Sequence, residues 1–340
     1  MDSITQGLLG AAVAECGFRH RLGRGATLMG AVGGVLPDLD IFLGWVDPWW
    51  TMQYHRHFTH SVFFAPLVAA PLAWLFWRRR KEQRFALWLL CAYLVVATHP
   101  LLDLLTTYGT KLFAPFVDAR YGLDWIGIID LHYTAVLIVT IVACVVLRRL
   151  RRSSKTWCIG AGGIVVSTGY LLYGAHNHAT AMTRIYDHAT ERGEQVLAAR
   201  AIPNIGSVYV WRLIYRTNRA YYVGRTNTRF NAESGFTRLP IKDHALIHKA
   251  DELPYVQLFR NFAMGWARPI LAQGALGPSV VYDDLRYGWP PGNVRSLWSA
   301  VVEFDRHENV RSVYRATHRS RTKRSVGQLW RDFWRELDKP

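Results

Sequence analysis

Four short polar clusters interrupt the apolar N-terminal half of this chain: Asp38 and Asp40 in LPDLD, His55, His57 and His60 in HRHFTH, His99 and Asp103 in HPLLD, and Asp130 in IID. Aspartate and histidine hold hydrolytic divalent ions, and ionisable groups beside membrane-length apolar runs are expensive to keep and mark function. His99 and Asp103 are four positions apart, so on a helix they rise from one face and can share one cation. Pro100 suits the first turn of a helix starting there, whose N-terminus would open beside the site. Asp38 and Asp40 together supply negative charge to offset a divalent ion, and Gly33, Gly34 and Pro37 let the backbone leave helical geometry. Arg56 carries a fork that suits bidentate oxyanions. Plainer readings stand beside these: a helix cap for Asp40, a hydrogen-bonded bundle pair for His99 and Asp103, a surface loop for the histidines. Asp118, Arg120, Asp124 and Asp130 read individually as structural.

The elements that must position these groups are membrane spans. Of 340 residues half are hydrophobic, and they crowd into the first 175 positions. Runs at 26–45, 62–77, 85–102, 128–147 and 157–174 are each about the 17–20 residues needed to cross hydrocarbon, the second being the weakest. The stretch 7–16 reads as a short retained helix rather than a cleaved signal. Cys16, Cys91, Cys144 and Cys158 form no CxxC pair, which argues against a disulfide framework or a cysteine zinc site.

The net charge is +16, and its placement matters more than its size. Arg19, Arg21 and Arg24 precede the first span, Arg78–Lys81 and Arg84 follow the second, and Arg148, Arg149, Arg151, Arg152 and Lys155 follow the fourth. The positive-inside rule puts these loops in the cytoplasm. Every polar cluster then lies at the opposite face, and the C-terminal half lies outside, in the periplasm of a Gram-negative cell. Because topology accounts for much of the positive charge, nucleic acid is not an expected partner; the lipid bilayer is, with a phospholipid or lipid-linked substrate in view.

The chain divides near 175 into a transmembrane helical domain, 1–175, and a soluble, strand-rich α+β domain, 176–340. In the latter, 207–216 and 220–225 around Thr217-Asn218-Arg219 read as a β-hairpin, with further strands expected at 254–259, 279–283 and 298–304. Val326, Leu329, Trp330, Phe333, Trp334 and Leu337 recur at helical spacing, predicting a terminal amphipathic helix behind a basic run, Arg311 to Arg324.

MDSITQGLLGAAVAE, GGVLPDLD, HRHFTHS, HPLLDLLTTYGT followed by LFAPF, and IID followed by Tyr133-Thr134 together resemble, over residues 1 to 150, the LexA-regulated, inner-membrane-associated metal-dependent hydrolases. The resemblance implies metal ligands at Asp38, Asp40, His60, His99 and Asp103. Two positions depart from the family pattern: Leu131-His132 stands where Pro-Leu is expected after Asp130, and Gln6 stands where many relatives carry histidine. A more distant likeness, to the zinc-dependent phospholipase C and single-strand nuclease superfamily, implies attack of a metal-activated water on a phosphoester, with a second metal or Arg56 steadying the developing charge. Zinc is the first expectation for the ion, with manganese or iron suited to the same donors. A general acid or base outside the metal shell would have to be His55, His57 or Arg56. The alternative is a non-enzymatic membrane protein that binds an ion, or serves as an envelope scaffold, without turnover.

Overall fold

The computed structural model describes residues 1–81, 83–150, 156–230, 232–274, 277–288 and 290–317. The chain forms two compact units, Met1–Ala175 with Ile205–Ser207, and His176–Asn204 with Val208–Pro340.

The first unit is helical. α1 (Ser3–Gly17) is capped by Asp2, whose carboxylate accepts from the Thr5 amide at 3.0 Å. The short α2 (Arg19–Leu22) leads to α3 (Arg24–Val35), which runs on as a 3-10 segment, Leu36–Trp45. α4 (Pro48–Tyr54), a 3-10 turn at Phe58–His60 and α5 (Ala65–Trp77) follow, then α6 (Phe85–Leu104), α7 (Leu131–Arg149) and the start of the long α8 (Thr156–Glu191), whose residues from His176 belong to the second unit. Among the described residues four helices are long and apolar enough to cross a membrane: Arg24–Trp45, Phe85–Leu104, Leu131–Arg149 and Thr156–Glu191. The expected span at 62–77 is different. α5 alone has 13 residues, about 20 Å of helix, which is short of a ~30 Å hydrocarbon core. It makes a fifth crossing only together with Pro48–His60, from which it is bent by 70°.

Pro100 does not start a helix. α6 runs unbroken from Phe85 to Leu104; a proline inside a membrane helix is tolerated where neighbouring groups re-satisfy the freed backbone.

α1 and α3 cross with almost no side chain between them. A Cβ at Gly10 would lie 2.2 Å from the Gly30 carbonyl oxygen, one at Gly30 2.3 Å from that of Gly10, and one at Gly34 2.3 Å from that of Gln6. Such small-residue contacts bring helix backbones together where lipid offers no hydrophobic drive. Leu22, Met29, Leu72, Trp88, Cys91, Val95 and Val96 fill the core among α2, α3, α5 and α6. Glu15 of α1, buried, is held bidentately by Arg148 of α7 at 2.6 and 2.9 Å and accepts from Thr27 at 2.8 Å. A carboxylate in such surroundings persists only when paired.

The second unit holds two four-stranded antiparallel sheets. The first comprises β1 (Ala198–Pro203), β2 (Val210–Arg216), β3 (Ala220–Asn227) and β4 (Ala232–Pro240). β2 and β3 form the expected hairpin, its turn closed by the Thr217 hydroxyl accepting the Arg219 and Ala220 amides at 3.2 and 3.1 Å. α9 (Ala245–Asp251) and α10 (Pro254–Phe262) precede the second sheet, β5 (Ala267–Gln273), β6 (Pro278–Asp284), β7 (Trp298–Phe304) and β8 (Val310–Thr317). The strands expected at 279–283 and 298–304 are β6 and β7. The one expected at 254–259 is a helix instead: Pro254 opens it, and Val256, Phe259 and Phe262 share one buried face at three-residue spacing. The amphipathic helix expected at 326–337 lies outside the described residues.

The glycine crossing predicts that Gly30→Ala forces α1 and α3 apart. Thermal unfolding of the detergent-solubilised variant is expected to show a loss of about 1–3 kcal/mol, the usual penalty of overpacking; an unchanged midpoint would refute the close contact.

Candidate metal centre

Asp38 enters on the 3-10 continuation of α3, His60 on the turn at the break before α5, and His99 and Asp103 one turn apart near the end of α6. One donor atom from each of the four lies within 4.8 Å of every other. His60, His99 and Asp103 are fully buried.

Hydrogen bonds on the far side of each ring fix where the protons are. His99 Nδ1 lies 2.6 Å from the Gly34 carbonyl oxygen; a carbonyl only accepts, so Nδ1 carries the proton. Thr59 gives its one hydroxyl proton to Asp40 Oδ2 at 2.5 Å, so His60 Nδ1, 2.9 Å from the same hydroxyl oxygen, must be the donor there. Both rings therefore turn Nε2 inward, and these two nitrogens are 3.0 Å apart.

The carboxylates are divided in the same way. Asp38 Oδ2 accepts from Ser3 Oγ at 2.8 Å, leaving Oδ1 at 3.5 Å from His60 Nε2 and 3.4 Å from His99 Nε2. Asp103 Oδ1 accepts from Gln6 Nε2 at 3.0 Å and pairs with the Met1 amino group. Asp103 Oδ2 stands 3.2 Å from His60 Nε2 and 3.6 Å from His99 Nε2, and the Arg56 guanidinium pairs with it from the other side, Nε at 3.0 Å.

These residues fit a divalent cation. Five of the donor separations fall between 3.0 and 3.6 Å, and ligands at zinc-like bond lengths in a tetrahedral shell stand about 3.3 Å apart. A proton could join one pair of these atoms; four converging donors match an ion with several coordination positions. Each donor also has the outer partner that orients metal ligands elsewhere: Gly34 for His99, Thr59 and Asp40 for His60, Ser3 for Asp38, Gln6 for Asp103.

Asp40 lies one hydrogen bond behind the cluster. Its Oδ1 accepts from His55 Nδ1 at 2.6 Å, and its Oδ2 takes the Thr59 hydroxyl and the Arg56 amide, at 3.1 Å, with His60 Nδ1 at 3.4 Å. One carboxylate thus orients two imidazoles, and the geometry places it outside the group of four. Arg56 has φ +59°, a left-handed conformation that costs a non-glycine residue roughly 1–2 kcal/mol. That turn aims the guanidinium inward: Nε lies 3.0 Å from Asp103 Oδ2, Nη1 donates to Thr106 at 2.8 Å, and the group sits 4.8 Å over the Tyr108 ring. Arg56 is nearly inaccessible, so its place is that of a residue positioning Asp103. His57 faces Asp118, Nε2 to Oδ1 3.8 Å, with its ring against Phe58.

The residues read as structural hold the frame. Asp130 caps α7, accepting from the His132 and Tyr133 amides at 3.0 and 2.9 Å and from the Tyr170 hydroxyl at 3.0 Å. Arg120 donates to the Met52 and Gly109 carbonyls at 2.6 and 3.1 Å, pinning the end of α4.

The family model for the YdjM inner membrane protein matches residues 1–179, and the chain belongs to that family. No curated protein and no solved structure matches the chain.

Asp40→Asn removes the charge behind His60 while leaving the four inward donors in place. Metal affinity, measured by competition with a chromophoric chelator, is expected to fall about 10–100-fold, the usual effect of removing an outer partner. An unchanged affinity would show that Asp40 does not support the centre.

Proposed function

We propose that this member of the YdjM inner membrane protein family is a metal-dependent hydrolase whose centre is formed by Asp38, His60, His99 and Asp103, acting on a phosphoester or lipid-derived substrate at the outer face of the inner membrane. The observation that carries the reading is the convergence of two imidazole Nε2 atoms, 3.0 Å apart, with one oxygen from each of two carboxylates, all within 4.8 Å of one another. The resemblance of residues 1 to 150 to membrane-associated metal-dependent hydrolases supports it. Zinc is the ion favoured by two imidazoles and two carboxylates, with manganese and iron compatible.

A divalent ion held there supplies Lewis-acid chemistry, lowering the pKa of water and polarising a phosphoryl oxygen. The chain's own residues divide the remaining work. Asp40 holds the Nδ1 proton of His55, which leaves His55 Nε2 able to take a proton; His55 is the general base of this reading, in preference to His57, which faces Asp118. Arg56 holds Asp103 in register and places positive charge beside the centre. The complete burial of His60, His99 and Asp103 favours a second reading, ion binding without turnover, which the same residues would serve.

Two measurements separate the readings. Elemental analysis of detergent-purified wild type is expected to find stoichiometric metal that is lost in His99→Ala and in Asp103→Ala. His55→Ala is expected to keep the metal while phosphoesterase turnover falls about 10²–10⁴-fold, the range for loss of a general base. Metal without turnover on any phosphoester or lipid ester, in wild type and variant alike, would leave the binding reading.

The orientation follows the same reading. Arg19, Arg21, Arg24, Arg78–Arg80, Arg148 and Arg149 belong to the cytoplasmic side, and the C-terminal unit to the periplasm. Alkaline phosphatase fused after Thr317 is expected to be active and fused after Arg80 inactive; the reverse pattern would invert the topology.

A further inference from the structure

The elements that bring the four donors together carry exposed apolar side chains around them. The span that supplies Asp38 continues to Trp45, seven residues and about 14 Å farther at the ~2.0 Å rise of a 3-10 helix. Along it Leu39, Phe42 and Trp45 are exposed, Trp45 at 84%, and the Phe42 and Trp45 rings meet edge-on at 4.7 Å. A second aromatic pair is fixed to the ligand-bearing turn. Ser61 Oγ donates to the Ala114 carbonyl at 2.5 Å and the Val62 amide to the Leu112 carbonyl at 3.1 Å. These bonds bring Phe63 against Phe116, ring centroids 5.1 Å apart, with Phe116 exposed at 77%.

Exposed aromatics on a spanning helix belong at the boundary between hydrocarbon and headgroups. Because this apolar surface is continuous with the span and runs on beyond Asp38, the bilayer is its occupant. A water-soluble phosphoester would gain nothing from that surface. The phosphate of a lipid already lies near this depth, its acyl chains on the apolar side.

We propose that the centre serves a phosphate-bearing membrane lipid, which approaches from within the leaflet on the side of Asp38, the one of the four donors that is not fully buried, with its acyl chains against Leu39, Phe42, Trp45, Phe63 and Phe116. The proposal rests on the metal-centre reading and names the substrate class of that site. Phosphate is the lipid group whose oxygens suit a hard divalent ion, and the exposed apolar side chains favour a substrate with tails over one without.

Native mass spectrometry of the full chain tests it, with three probes added to the metal-loaded protein: dioleoylphosphatidate, dioleoylglycerol with the same tails and no phosphate, and glycerol 3-phosphate with no tails. Metal content is measured on each sample first. Dioleoylphosphatidate alone is expected to remain bound, and its retention to fall about tenfold in Phe42→Ser/Phe116→Ser, a loss of the size expected when apolar contact area is removed, while metal content is unchanged. Glycerol 3-phosphate binding as well as phosphatidate, dioleoylglycerol retained equally, or undiminished phosphatidate in the metal-replete double variant would each overturn the proposal alone. Wild type that takes up no metal would overturn the reading beneath it, and the proposal with it.

Discussion

Two imidazole nitrogens are held 3.0 Å apart, with a carboxylate oxygen of Asp38 and one of Asp103 within 3.6 Å of each, and much of the helical unit is arranged to keep them so. In a low-dielectric interior the interactions among such groups are poorly screened. What prevents the rings from turning is the set of bonds behind them. The Gly34 carbonyl takes the His99 proton, while Thr59 and Asp40 hold His60. Ser3 and Gln6, both on α1, each occupy the outer oxygen of a carboxylate. The bundle thus converges four donor residues, each held from behind, which fits a divalent ion.

Residue types and spacing carried much of this. Four polar clusters stood out because charged groups beside apolar spans have few uses, and the helical spacing of His99 and Asp103 already placed two donors on one face; the choice of His60 among three histidines, and the grouping of Asp38, Asp40, His60, His99 and Asp103, came from the family resemblance. The outer partners were far less legible. Ser3 and Gln6 are ordinary polar residues in a helix of mostly small apolar ones, and Gln6 drew notice only as a departure from a histidine found in relatives. Gly34 contributes through its backbone, which no residue type announces. The place of Asp40 behind His60, rather than among the inward donors, depends on a left-handed turn at Arg56 that spacing cannot reveal.

The elements follow the same division. Apolar runs marked the four long spans, but 62–77 concealed a short helix bent against its predecessor, because hydropathy records composition and not direction. Pro100 suggested a break that the surrounding helices make unnecessary. In the second unit the alternating, aromatic-rich hairpin at 210–227 was plain. Residues 254–259 read as a strand because Tyr255, Val256, Leu258 and Phe259 have strand-like side chains, whereas the three-residue spacing that extends to Phe262 defines the helix. β1, β4, β5 and β8 went unread; Ala198–Pro203 and Ala232–Pro240 in particular hold small, charged and proline residues that strands acquire through pairing rather than propensity.

Gly34 joins two properties that are usually separate. Its missing side chain lets the Gln6 backbone approach to a distance that a single methyl group would fill, and its carbonyl decides which nitrogen of His99 carries the proton. A steric error at that point is therefore also an electronic one: a displacement large enough to break the 2.6 Å bond frees the imidazole to flip or to change tautomer without any ligand being altered. The close seam between α1 and α3 thus acts as a mechanical reference for the electronics of the centre, and the positions least tolerant of change extend well past the residues that touch the ion.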